Sequence, residues 1–149
     1  MLQETIHLSG DVKITLLKDD GSVEVREAKN LIVSGGKVLL ARLLGGDASY
    51  KNLEHVTKIA FGTGSTPAAA SQTALVAQAL SKTAVVSYPA FNQVKFTVTM
   101  EANEGGTNTY QEIGLLSAGT NILFSRIVIS PITKSTAYKI QVEWTISFQ

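Results

Sequence analysis

The chain has 149 residues, 44% of them hydrophobic and 17% charged, and a formal net charge of +1. That composition is too apolar for a disordered chain and suits one domain, burying about 68–70% of the surface its unfolded form would expose. Balanced charge with no basic stripe argues against nucleic acid as a partner, and the lack of cysteine excludes disulfides, thiolate metal sites and cysteine nucleophiles.

In chain order, the N-terminus has neither a cationic leader nor a continuous apolar run, and no stretch of about 18 apolar residues follows. The expectation is a product made in a cytoplasm with no membrane partner. Residues 5–8 and 12–17 alternate in polarity, 18–22 (KDDGS) supply a turn, and 23–28 alternate again, which is a β-hairpin pattern. Gly21 suits its turn because it can take a positive φ. A short apolar strand at 30–33 leads to Ser34, a candidate helix cap, after which Val38, Leu39, Leu43 and Leu44 share one helical face until Gly45 and Gly46 end the helix. Its few cations fit packing on a sheet better than a membrane surface.

Residues 47–53 form a polar connection, and 56–61 read as a strand buried on both faces. A long loop over 62–70 then precedes a second, Ala-rich helix that is expected to open at Ser71 or Thr73 and run to about Leu80. The rest is β: 83–88, 94–102, 109–116, 122–130 and 138–148. Val94, Phe96, Val98 and Met100 alternate with polar residues, as do Ile140, Val142, Trp144, Ile146 and Phe148. Strand 122–130 is apolar on both sides, with Leu123, Ile127 and Ile129 on one and Ile122, Phe124 and Val128 on the other. A helix over the sheet and a neighbouring subunit are equal candidates for its cover. These elements predict a mainly β fold, an antiparallel β-sandwich with one or two short helices packed on it. Residues 1–149 form one domain, in which 1–29 make a hairpin that docks at home or serves as an assembly arm and 30–149 make the sandwich core.

No residue pattern points to catalysis. His7 and His55 stand in no constellation and are read as packing or hydrogen-bonding residues, and no cofactor or metal motif is present. Gly62-Thr63-Gly64-Ser65-Thr66 lacks the Lys and spacing of a phosphate loop and is read as a turn. Glu112, beside apolar Ile113-Gly114-Leu115-Leu116, is read as a structural carboxylate at an edge, bonded to backbone or to a cation, with Arg126 a candidate partner. Trp144 alternates inward, against a carbohydrate-binding face, although Tyr50, Tyr88 and Tyr110 remain available as contacts.

Asn30-Leu31-Ile32-Val33 with Leu39, Leu40 and Leu43, then IAFGTG (59–64), TAL (73–75), EIGL (112–115) and LFSR (123–126), follow one another in this order before the final strand. The series resembles the tail-collar fibre and related tail proteins of bacteriophages. The resemblance implies a virion structural protein, not an enzyme, of the tail, baseplate or collar, which attaches fibres by protein–protein assembly. Such fibre proteins continue into a shaft and tip, so a module of this size is expected to be an adaptor. The alternative is a capsid decoration (cement) protein. Expected partners are other virion proteins and copies of itself, as a trimer or a ring. Candidate contacts are Ile122, Phe124 and Val128 together with Thr63, Ser65, Thr66 and Pro67 of the 63–70 loop.

Overall fold

The alternating strands set two antiparallel five-stranded sheets face to face in the computed structural model, which describes residues 3–149. The first sheet runs β2 (Val23–Lys29), β1 (Leu8–Lys18), β10 (Tyr138–Phe148), β7 (Gln93–Met100) and β6 (Val85–Ser87). Its register lines up inward rows across three strands: Val12, Trp144 and Phe96; Ile14, Val142 and Val98; Leu16, Ile140 and Met100. All nine are buried. The pleat sends the intervening residues to the other face, where Lys95 and Glu143 pair at 3.0 Å.

The N-terminal hairpin docks in its own domain, because all eleven residues of β1 pair with β10. Gly21 takes φ 83° in its turn, and Asp20 accepts the Ser22 N–H at 2.8 Å. Of the strand expected at 5–8 only Leu8 belongs to β1; His7 extends the ladder by exchanging two backbone hydrogen bonds with Gln149.

The second sheet runs β3 (Leu31–Ile32), β9 (Leu123–Thr133), β8 (Thr109–Ser117), β4 (Val56–Gly62) and β5 (Gln78–Thr83). β4 is buried on both faces as expected, with Ile59 and Phe61 toward the other sheet and Ala60 packed on the outside. The simple alternation expected for 122–130 fails. Leu115 pairs with Ser125 but Leu116 with Leu123, so Phe124 is one residue too many for the ladder. This bulge turns Phe124 into the core beside Ile127 and leaves Leu123 on the outer face. Pro131 lies in a second register break, where it withdraws no ladder donor.

The helix α1 (Ser34–Leu44) lies against β9. The Ser34 side chain does not cap it: Val33 is the cap residue, and the Ser34 N–H donates to the Ala70 carbonyl at 2.8 Å. Its core-facing stripe is also displaced from the expected one, with Leu39 buried and Leu40 and Leu43 half-buried, while Val38 and Leu44 face outward. Gly36 lies so close to the Phe124 carbonyl that a Cβ would collide with it. The helix therefore covers Phe124, which settles one of the two covers considered for this strand. No second helix forms at 71–80; residues 71–77 are irregular and lead into β5.

If the bulge orients β9 as described, Phe124→Ala costs about 3–5 kcal/mol and Val128→Ala less than about 1 kcal/mol in urea unfolding. Equal losses at the two positions would contradict it.

Candidate functional site

β4 and β5 are ladder neighbours, yet the chain between them does not take the short way. Residues 63–77 leave β4, cross the outer face of the second sheet and return, forming a strap that reaches the start of α1 through the Ala70 carbonyl. What holds the strap is a buried carboxylate. Glu112 on β8 and Arg126 on β9 are both fully enclosed, and Arg126 Nε donates to Glu112 Oε2 at 2.8 Å. Glu112 also accepts the backbone N–H groups of Gly64 (3.1 Å), Val76 (3.0 Å) and Ala77 (2.7 Å), drawing both ends of the strap to one point. Arg126 Nη1 donates to the Thr66 carbonyl at 2.8 Å and to Gln72 Oε1 at 3.2 Å, which fastens its middle. Arg126 Nη2 has no acceptor among the described residues.

The small residues of the strap and sheet follow from this crowding. A Cβ on Gly62 would meet the Ala77 carbonyl at 2.7 Å, and one on Gly64 would meet Glu112 Oε1 at 2.7 Å. A Cβ on Gly114 would strike Leu75 at 2.7 Å, and Leu75 is the apolar plug of the strap, packed with Val33, Ala60, Leu116 and Leu123. The Gly62–Thr66 segment is thus a turn built around a carboxylate from its own chain. The absent second helix has the same origin: the Val76 and Ala77 N–H groups that a helix would use are committed to Glu112.

Burial pushes the Glu112 carboxyl up, but the Ala77 and Val76 N–H groups and the Arg126 guanidinium outweigh it and hold the group below its ordinary value. The reading of Glu112 as a structural acid paired with Arg126 matches this geometry, although it sits in the sheet interior, not at an edge.

Two further buried ions were not legible from residue pattern. Glu54 accepts from Ser117 Oγ at 2.5 Å and from the Thr120 N–H and hydroxyl, organising the β8–β9 turn. Burial raises its pKa, and these donors overcome that and leave it lowered. Lys134 Nζ donates to the Ala102 and Ser135 carbonyls at 2.9 and 2.6 Å, and burial lowers its pKa against the opposing pull of Glu104.

The candidate contact residues fall in separate places. Ser65, Thr66 and Pro67 are exposed on the strap and Thr63 is half-buried at its root. Val128 is exposed on the outer face opposite Glu112 in the ladder, Ile122 is half-buried at the β8–β9 turn, and Phe124 is enclosed in the core. His7 and His55 are both exposed, one at a ladder end and the other ahead of β4. Among the described residues no group of three His, Asp or Glu is placed to hold a metal, and no helix is long and apolar enough to cross a membrane. No family model, curated protein or solved structure matches the chain.

Removing one partner of a buried pair leaves the other charge uncompensated, so Arg126→Met is expected to cost about 3–5 kcal/mol in urea unfolding. Adding Glu112→Met is not expected to restore stability, since three strap N–H groups would then lack an acceptor; full recovery in the double variant would contradict the assignment.

The acid response follows in sign. Both carboxyls titrate lower folded than unfolded, so their stabilisation is complete above the ordinary value of about 4.3 and is lost as pH falls through the lowered folded values. Urea midpoints should therefore hold between pH 7 and 5 and drop below about pH 4, and Glu54→Gln should flatten that drop. A midpoint insensitive to acid would refute the linkage.

Proposed function

We propose that this chain is a structural protein of a bacteriophage virion, an adaptor of the tail, baseplate or collar that acts by protein–protein assembly. One observation carries the reading. The segments on which the resemblance to tail proteins rests, IAFGTG, TAL, EIGL and LFSR, meet at a single point of the fold: Gly62 and Gly64, Leu75, Glu112 and Gly114, and Arg126 are the parts of the strap anchor. A pattern spread over more than sixty residues thus corresponds to one structural device, which serves packing and presentation.

The strap that this device presents suits a contact surface. Residues 63–81 include no Asp, Glu, Lys or Arg, and Ser65, Thr66, Pro67, Ala69 and Ala70 are exposed along it. An uncharged surface has no ion to desolvate on being covered, and charged residues are depleted where interface cores form. The buried carboxylates are fully engaged by donors of their own chain, so they act as anchors. In this reading other virion proteins cover the strap, and the chain assembles with copies of itself.

Particles made by the genome that encodes this chain, separated into heads and tails and analysed by mass spectrometry, test the reading. Recovery with tails is expected, and Thr66→Lys/Ala69→Lys on the strap should reduce that recovery without altering the fold. Recovery with heads alone would move the protein to capsid decoration, and absence from both would overturn the virion reading.

A further inference from the structure

The two edges of the first sheet are unequally protected. β2 carries Glu24, Arg26, Glu27 and Lys29, charges of the kind that keep an exposed edge from pairing with another chain. β6 is the other edge of the same sheet and reads Val85-Val86-Ser87, with no charge. Val85 pairs with Thr97 and is 72% exposed, whereas Val86 pairs with Phe96 toward the sandwich interior. Both faces of this edge are therefore apolar.

The surroundings continue that character. Tyr88 and Phe91, in the β6–β7 connection, are 77% and 102% exposed, and Phe148 at the end of β10 is 39% exposed. Beside them a cleft of about 390 Å³ opens between the sheets, walled by Leu40 and Leu43 of α1 and by Val86, Tyr88 and Phe148. None of the residues lining the cleft, or the adjoining hollow at Phe91, is Asp, Glu, Lys or Arg.

We propose that β6 pairs with β6 of a second copy, antiparallel about a two-fold axis, so that two five-stranded sheets become one of ten strands and each copy's Tyr88 and Phe91 close over the other's cleft. Two properties select a second copy as the occupant. A two-fold sets the patch against an identical patch of the same charge, which a patch of one sign resists and this neutral one permits. Val85, Val86, Tyr88, Phe91 and Phe148 together expose on the order of 500 Å² per copy, most of the roughly 800 Å² that each side of a standard interface buries. The added ladder supplies partners for the unpaired N–H and C=O groups of the edge, as in strand-addition complexes.

The proposal rests on the reading of the chain as an assembling protein, and its test is separable from that reading. Sedimentation equilibrium of the full chain at micromolar concentration is expected to give twice the 15.9 kDa chain mass. Val85→Lys/Phe91→Ser changes two exposed side chains, so the fold should persist while the dissociation constant rises at least about tenfold. A monomer, a trimer or larger ring, or an unchanged constant in the variant would overturn the two-fold edge.

Because the natural chain has no cysteine, single introduced thiols give an independent readout. In a two-fold strand pair the residue on the axis faces its own copy within the roughly 7 Å Cα separation a disulfide spans. At least one of Val85→Cys, Val86→Cys and Ser87→Cys should therefore oxidise to a covalent dimer, and Lys51→Cys should not. No crosslink at any of the three would overturn the pairing. A β6 dimer that never enters particles would refute the virion reading and leave this inference standing.

Discussion

A carboxylate sealed from water must find donors or lose its charge, and Glu112 finds four inside its own chain. Three of them are backbone N–H groups of a segment with no ladder or helix to occupy them, so the acid converts fifteen irregular residues into a fixed strap. Around that point the glycines have little freedom: Gly62, Gly64 and Gly114 each occupy a place where a Cβ would strike the carboxylate, the strap backbone or Leu75. The start of α1 depends on the strap in turn, through the Ala70 carbonyl that accepts the Ser34 N–H. Sheet, strap and helix are coupled through one buried ion pair.

The same solution recurs at smaller scale. Glu54 gathers Ser117 and Thr120 at the β8–β9 turn, and Lys134 holds two carbonyls from segments 102 and 135. Three irregular regions that regular ladders leave unsatisfied are thus each tied by enclosed charge. With no disulfide available, charge-assisted hydrogen bonds to backbone provide order where apolar packing is thin. The apolar work is done elsewhere, by the three inward rows of the first sheet against Ile59, Phe61, Ile113 and Leu115. The exposed strap and the uncharged β6 edge are the two surfaces on which the proposed assembly rests.

Strands with one wet face were legible because a two-residue period needs no knowledge of neighbours: β7, β10 and the β1–β2 hairpin fall where the alternation of Val94–Met100, Ile140–Phe148 and Val12–Leu17 places them. The pairing of Glu112 with Arg126 could be anticipated because each stands alone among apolar residues. Three other features depend on distant parts of the chain. The TALVAQA segment has helical composition, but Leu75 is drawn into the outer core and two of its amides bind Glu112, so tertiary contacts override local preference. The bulge at Phe124 reverses which side chains of β9 face in, and no local signal marks it. Glu54 carries no pattern of its own, because its donors lie over sixty residues away.

Hydrogen exchange at single amides reads the central claim directly. The Gly64, Val76 and Ala77 N–H groups lie outside helix and strand, yet donors to a buried carboxylate should exchange only through large-scale opening, with protection near that of the β8 core. Ala74, exposed on the same strap, should exchange far faster. If all four amides exchange alike and rapidly under native conditions, Glu112 does not hold the strap, and the structural role assigned to it falls.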